Sequence, residues 1–134
     1  MRVFIDTSGF LSVLDRDDYR HAASRKAWVD LLSSDAELLT TNYVLLETFA
    51  LVQNRLGLPA VRLFQDDIVP VLHIEWIGKT QHENAAGILL SALRRKLSLV
   101  DCTSFAAMRL LGVTTAFTLD KHFKEQGFDC MPAE

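Results

Sequence analysis

The chain has 134 residues, of which 49% are hydrophobic, and carries a formal net charge of −3 at pH 7. A chain of this length is most simply one domain, residues 1–134, and it can bury roughly two-thirds of its unfolded surface without needing disulfides. The net negative charge argues against broad, non-specific binding to nucleic acids, although an acidic pocket can coexist with a local basic rim.

Several sequence features indicate in which cellular compartment the protein is found. The N-terminus opens on the strand-like M-R-V-F-I-D, without the basic and apolar regions of a secretory signal. No apolar run approaches the roughly 20 residues of a transmembrane helix. The cysteines, Cys102 and Cys130, have neither a C-x-x-C spacing nor the spacing of a zinc site. We therefore expect free thiols, a cytoplasmic protein and no membrane partner.

The first half of the chain alternates predicted strands with helices. Val3, Phe4 and Ile5 form an unbroken apolar run, typical of a strand covered on both faces, which predicts a strand over residues 2–6. The elements predicted next are a helix around Phe10–Leu14, a helix over about 19–33, a strand at 38–41, a helix capped by Asn42 and ended by Gly57, and a helix from Pro59 to near Pro70.

The second half repeats this alternation. Its predicted elements are a strand at 72–76, a helix opened by a Thr80–Glu83 capping box and ending in Arg94-Arg95-Lys96, a helix N-capped by Asp101 and stopped by Gly112, a core strand at 113–118, a helix at 121–126 and an edge strand at 128–130. Alternating strands and helices predict an α/β fold, an α/β/α sandwich with a mostly parallel central sheet. Ligands of such sheets bind beyond the carboxyl ends of the strands.

Four acidic residues lie within apolar sequence, where a lone carboxylate is costly to bury. They are Asp6, Glu47, Asp101 and Asp120. Asp6 and Asp120 each follow a predicted strand, which places both on one rim of the sheet. Converging carboxylates need a compensating cation, and oxygen-only ligands favour Mg²⁺ or Mn²⁺. The pattern therefore predicts a metal-dependent phosphodiesterase site.

Each acid also has an ordinary structural interpretation. Taken singly, Asp6 and Asp101 are compatible with helix caps, Glu47 with a solvated helix position and Asp120 with a surface turn. The histidines are scattered and form no H-x-x-x-H pair, so each is interpreted as a surface or strand residue rather than a ligand: His21, His73, His82 and His122. His122 lies two residues after Asp120, and contact with RNA is its alternative role.

Short motifs connect these acids to a known family. They are F-I-D-T-S at 4–8, E-T at 47–48, V-D-C-T-S-F-A at 100–106 and A-F-T-L-D-K-H-F at 116–123. In their order and spacing the chain resembles the PIN-domain nucleases over residues 2–128, most closely the small VapC-type toxins of bacterial toxin–antitoxin pairs. The resemblance implies a PIN-like fold and an endoribonuclease in which Asp6, Glu47, Asp101 and Asp120 hold Mg²⁺ or Mn²⁺. It implies Thr7, Ser104 and Thr118 as polar helpers.

The resemblance also implies partners. It indicates a homodimer, an RNA substrate and a cognate antitoxin protein, as in a type II toxin–antitoxin system. We interpret apolar residues of the early helices, Phe10, Leu11, Leu14 and Trp28, as an exposed groove that binds the antitoxin. A basic antitoxin side chain would then reach the acids and displace the metal.

Other functions remain as alternatives at the level of sequence. One is an RNA-processing PIN nuclease that is not a toxin, and another is a catalytically degenerate PIN-like binding module, although such modules usually lose one or more of the acids. An α/β phosphatase of the haloacid-dehalogenase type needs Asp-x-Asp after the first strand, where this chain has Asp6-Thr7-Ser8. A receiver domain needs an acidic pair at that place.

Overall fold

A computed structural model describes residues 1–133 and contains a parallel five-stranded sheet. The strands are β1 (Arg2–Ile5), β2 (Glu37–Thr41), β3 (His73–Glu75), β4 (Thr115–Phe117) and β5 (Asp129–Met131). Every pairing is parallel, and the strand order is β3-β2-β1-β4-β5. The helices are α1 (Thr7–Leu14), α2 (His21–Leu32), α3 (Asn42–Leu56), α4 (Leu58–Leu63), α5 (Lys79–Ala92), α6 (Leu99–Leu111) and α7 (Lys121–Glu125). The predicted α/β fold with a mostly parallel sheet is confirmed.

Aromatic side chains fill the layers on the two faces of the sheet. Ile5 of β1 is paired with Phe117 of β4, so their side chains share one face, on which Trp28 of α2 packs against Phe117 at a ring-centroid distance of 6.1 Å. Phe4 points to the opposite face, where it meets Phe123 of α7 at 6.4 Å. Helices therefore cover both faces of the sheet, which explains why β1 reads as a continuous apolar run.

The strand order creates a switch point between β1 and β4. The chain builds outward from β1 to β2 and β3, and then returns to the other side of β1 to form β4 and β5. The helix after β1 and the helix after β4 consequently lie on opposite faces, which leaves a crevice at the carboxyl ends of these two strands. In open parallel sheets this crevice is the usual ligand site.

The starts of α3 and α5 differ from the predictions. Thr41 rather than Asn42 caps α3 by accepting from the Val44 amide at 3.2 Å. The Asn42 side chain instead hydrogen-bonds the backbone of Ile77 and accepts from its amide. This contact ties the start of α3 to the segment after β3. The predicted Thr80–Glu83 capping box is also wrong, since α5 begins at Lys79.

In α5 the Gln81 side chain accepts from the Gly78 amide at 2.6 Å, which places the start of the helix before Thr80. At its other end the helix stops at Ala92, before the basic Arg94-Arg95-Lys96 that was predicted to close it. Leu93 adopts a left-handed conformation (φ 54°), which ends the helix without a glycine. Local sequence identified this helix correctly and misplaced both of its ends.

The apolar residues predicted to form an exposed groove lie in the core. Phe10 is 1% exposed, Leu11 8% and Trp28 7%, and only Leu14 is half-buried. The rings of Phe10 and Trp28 pack edge-to-face, with centroids 6.3 Å apart. The groove prediction is therefore wrong, because these side chains attach α1 and α2 to the sheet. No helix within residues 1–133 is long and apolar enough to cross a bilayer.

Gly9 allows α1 to approach the end of β4. A Cβ atom at this position would lie 2.4 Å from the backbone oxygen of Phe117 and 2.7 Å from its ring, so no larger residue fits without moving the backbone. Gly87 in α5 has no atom within 4 Å of the same position. Both glycines are inside helices, so alanine gains the same intrinsic helix propensity at each.

We expect Gly9→Ala to lower the free energy of unfolding by about 1–3 kcal/mol, the usual cost of overpacking. Gly87→Ala is the matched control and should raise it by up to about 1 kcal/mol. Urea unfolding followed by circular dichroism measures both. A Gly9→Ala variant as stable as the Gly87→Ala variant would show that the close approach is not required.

Candidate active site

Asp6 is the most buried carboxylate of the crevice. It follows β1, its backbone amide donates to the Phe117 carbonyl at 3.1 Å, and only 4% of the residue is exposed. Burial, followed by the nearby charge of Asp101, raises the pKa of Asp6 from 3.8 to about 7. Near neutral pH this side chain therefore divides between its protonated and ionised forms.

Two hydroxyl groups hold the Asp6 carboxylate in place. Ser8 donates to Asp6 Oδ2 at 3.0 Å, and Thr118 donates to the same oxygen at 3.1 Å. The Ser8 hydroxyl also accepts from the Leu119 amide at 2.9 Å, and the Thr118 hydroxyl accepts from the Asp120 amide at 3.0 Å. The segment after β1 is thus joined to the segment after β4. Thr118 was among the predicted polar helpers, and Ser8 was not, although it is the last residue of the F-I-D-T-S motif.

Asp101 lies in the first turn of α6, but it is not the N-cap that the sequence suggested. Ser98 is the N-cap and accepts from the Asp101 amide at 3.0 Å, while Asp101 Oδ2 accepts from the Ser98 amide at 3.2 Å. This reciprocal capping box was readable from the spacing S-L-V-D. Burial, with a further contribution from the charge of Asp120, raises the pKa of Asp101, and the hydrogen bonds from Ser98 oppose that shift.

Asp120 and His122 complete the cluster beside Asp101. Asp120 caps α7, and its Oδ1 accepts from the His122 amide at 2.9 Å. One ligand atom from each of Asp101, Asp120 and His122 lies within 4.8 Å of the others. The interpretation of His122 as a surface or strand residue is wrong: it belongs to a helix and is 8% exposed. Its spacing from Asp120 was the available signal.

The other predicted site residues lie on the helices around the crevice. Glu47 is half-buried on α3, and within residues 1–133 it makes no hydrogen bond or ion pair. Its neighbour Thr48 donates to the Thr7 hydroxyl at 3.3 Å, which brings this turn of α3 against the residue that follows Asp6. Ser104 lies one turn after Asp101 on α6, and its buried hydroxyl has no hydrogen-bond partner among the described residues.

The donor groups of the crevice suit a divalent cation. Asp6 and Asp101 are buried carboxylates that repel one another, and Asp101 is also repelled by Asp120. A cation would offset this repulsion, and carboxylate oxygens are suitable ligands for Mg²⁺ and Mn²⁺. The Nδ1 atom of His122 is buried without a hydrogen-bond partner among residues 1–133, so it is also available as a donor. Ligand atoms of Asp101, Asp120 and His122 therefore lie together, and Asp6 is close enough to Asp101 to be repelled by its charge. Among residues 1–133, Glu47 does not join this group of ligand atoms.

Comparison with known proteins identifies the class. The PIN domain family matches residues 3–129. The chain belongs to the PIN domain family. Among characterised relatives it is 32% identical over 127 residues to the 23S rRNA-specific endonuclease VapC20 of two Mycobacterium tuberculosis strains, covering 94% of this chain and 95% of that protein. The similarity to VapC-type toxins suggested by the motifs is therefore confirmed.

Solved structures agree with this assignment. The crystal structure of Mycobacterium tuberculosis VapC20, described as a toxin that cleaves the sarcin–ricin loop, superposes with a TM-score of 0.83 at 31% identity, covering 94% of this chain and 95% of that one. FitAcB from Neisseria gonorrhoeae superposes with a TM-score of 0.65 at 15% identity, over 98% and 97% of the two chains. At that identity the second match supports the fold alone.

The raised pKa of Asp6 predicts how the stability of the metal-free protein depends on pH. Between the unfolded pKa near 4 and the folded pKa of about 7, the folded protein holds a proton that the unfolded chain releases. The free energy of unfolding should therefore fall as pH rises through this window and level off above it. Asp6→Asn removes the titrating group while it keeps an oxygen that accepts from Ser8 and Thr118.

We expect the stability of Asp6→Asn, measured relative to wild type in EDTA, to increase by on the order of 2–3 kcal/mol between pH 5 and pH 8. Urea unfolding at several pH values measures this difference. Asp30→Asn, which changes a carboxylate that is 66% exposed on α2, is the control and should track wild type. Parallel pH curves for wild type and Asp6→Asn would contradict the buried, repelled state of Asp6.

Proposed function

We propose that this protein is a divalent-metal-dependent endoribonuclease and the toxin of a type II toxin–antitoxin system. The observation that supports the proposal is the cluster of Asp101, Asp120 and His122, together with the buried Asp6 that Asp101 repels, at the switch point of a PIN-domain sheet. Glu47 lies on α3. The whole chain, residues 1–134, acts as one nuclease domain. Mg²⁺ is the proposed cofactor, and Mn²⁺ is the alternative ion.

The chain's own residues have distinct tasks in this proposal. When bound, the cation supplies an activated water and shields the phosphate charge. Asp6, Glu47, Asp101 and Asp120 hold the cation, and the hydroxyls of Ser8 and Thr118 keep the Asp6 carboxylate in one orientation. Such preorganisation matters because a small misplacement of a reacting group costs a large factor in rate. Thr7 and Ser104 support this arrangement from α1 and α6.

A groove beside Asp120 offers a path for the RNA backbone. It has a volume of about 370 Å³, and its lining includes Asp120 together with the basic side chains of Arg20, Lys121 and Lys124. Lys121 and Lys124 are exposed on α7, whereas Arg20 donates to the Ala133 carbonyl at 2.8 Å. Cations on the rim bind phosphates electrostatically, and the acids at its end hold the metal. This is the local basic rim that a net acidic nuclease needs.

The relative named for 23S rRNA suggests the first substrate to test. Identity of 32% over nearly the whole chain makes the sarcin–ricin loop of 23S rRNA the best candidate RNA. Retention of all four acids argues against a degenerate binding module. The absence of Asp-x-Asp at 6–8 argues against a phosphatase of the haloacid-dehalogenase type.

The pure protein should cut a sarcin–ricin loop RNA in the presence of Mg²⁺ or Mn²⁺ and should stop when EDTA is added. Asp6→Asn and Asp101→Asn should each slow cleavage by more than the roughly 10–100-fold that loss of an outer-shell partner costs, because each removes an anionic ligand. Single-turnover cleavage of end-labelled RNA, resolved on sequencing gels, measures these rates.

Asp30→Asn is the control because it removes one negative charge at a side chain that is 66% exposed on α2. This variant should cleave like wild type. Undiminished cleavage in EDTA, or by Asp6→Asn, would refute the metal mechanism. If another RNA is cut and the sarcin–ricin loop is not, the proposed substrate is wrong and the nuclease assignment stands.

The proposed partners are a second copy of the chain and an antitoxin. Phe10, Leu11 and Trp28 do not form the surfaces that bind them, because these three side chains are buried. We expect sedimentation to give the mass of a dimer, and co-expression with a small DNA-binding protein from the neighbouring reading frame to yield a stable complex without nuclease activity. A monomer at high concentration, with no inhibitory neighbour, would contradict this part of the proposal.

A further inference from the structure

His122 has an unusual environment for a histidine. Its residue is 8% exposed, and its Nδ1 atom lies 2.9 Å from Asp120 Oδ1 and 3.8 Å from Asp101 Oδ2. The Asp101 oxygen is too distant for a hydrogen bond, and Nδ1 forms none with the closer Asp120 oxygen, so Nδ1 is a buried polar atom without a hydrogen-bond partner among residues 1–133. Asp120 Oδ1 already accepts from the backbone amide of His122, which directs that oxygen toward the helix start.

An unpartnered buried nitrogen is costly. Burying a polar group without a hydrogen bond is unfavourable, and most buried polar groups in folded proteins have a partner. Here the nitrogen faces two carboxylates, and all three donor atoms lie within 4.8 Å of one another. One positive ion placed between them would satisfy the nitrogen and both oxygens together.

We propose that His122 Nδ1 is a direct ligand of the divalent cation, together with Asp101 and Asp120, so that the site has a mixed nitrogen and oxygen donor set. This inference rests on the metal site of the proposed function and adds a residue and an ion preference to it. Neighbouring ligands about 2.1 Å from an octahedral ion lie about 3.0 Å apart, close to the 2.9 Å between Nδ1 and Asp120 Oδ1.

A nitrogen ligand changes which ions the site prefers. Mg²⁺ favours oxygen donors, whereas imidazole suits transition metals, and affinity rises from Mn²⁺ through Co²⁺ to Ni²⁺. The protein should therefore bind Mn²⁺ and Ni²⁺ more tightly than Mg²⁺, and His122 should be the main source of that difference. A site made of carboxylates alone would discriminate less.

Titration calorimetry of metal-free protein with MgCl₂, MnCl₂ and NiCl₂ tests this preference. We expect His122→Asn to weaken Ni²⁺ binding by at least about 10-fold and Mg²⁺ binding by much less, because asparagine removes the imidazole. Asparagine keeps a polar atom near the position of Nδ1, so it would rescue a residue whose only task is to hydrogen-bond Asp120. His73→Asn is the control, since that side chain is 54% exposed on β3. An unchanged Ni²⁺ to Mg²⁺ affinity ratio in folded His122→Asn would overturn the inference.

Pulsed electron paramagnetic resonance of the Mn²⁺-loaded protein tests the bond itself and needs no variant that must fold. Wild type should show hyperfine coupling to ¹⁴N that changes to the ¹⁵N pattern when the histidines are isotope-labelled, and His73→Asn should retain it. Mn²⁺ bound without nitrogen coupling, in a protein that cleaves RNA, would overturn the inference and leave the proposed function standing. A failure to detect saturable binding of Mg²⁺ or Mn²⁺ would contradict both this inference and the proposed metal-dependent function.

Discussion

The arrangement of the crevice depends on the burial of the Asp6 carboxylate between the ends of two strands. Its backbone amide binds the end of β4, and its side chain accepts from Ser8 and Thr118. Burial raises its pKa to about 7, so its charge is costly unless it is compensated. The neighbouring hydroxyls reduce that cost without removing it. The same residue therefore joins the two halves of the sheet and carries a charge that the proposed cation would compensate.

The packing around the crevice holds the Asp6 carboxylate and its neighbours in position. Gly9 lets α1 approach the Phe117 carbonyl, which brings Ser8 within reach of Leu119. Aromatic side chains on both faces fix β1 and β4 side by side, so the donors are held by core packing and not by mobile loops. Asp101 and Asp120 are both fixed by the backbone of helix starts. Repulsion among the acids lowers the stability of the fold, and the proposed cation would offset that repulsion.

Sequence reasoning located the acids better than their local partners. Asp6 and Asp120 were placed on one rim because both follow strands of a parallel sheet, and the structure puts both beside the β1–β4 crevice. Asp101 was expected as an N-cap, but Ser98 takes that position because its hydroxyl completes a capping box. Ser8 and His122 were missed as members of the cluster. Ser8 contacts Leu119, which lies 111 positions further along the chain, and His122 faces Asp101, which belongs to a different helix.

By itself the sequence determined the alternation of strands and helices, the parallel sheet and the family. Apolar periodicity and the order of the motifs are both visible along the chain without knowledge of its contacts. Only the tertiary structure decided that Phe10, Leu11 and Trp28 are core rather than surface, since burial depends on which helix faces the sheet. Only it brought His122 between Asp101 and Asp120. Helices α6 and α7 flank β4 in the chain, and they contact each other through the rings of Phe105 and Phe123, whose centroids are 4.9 Å apart.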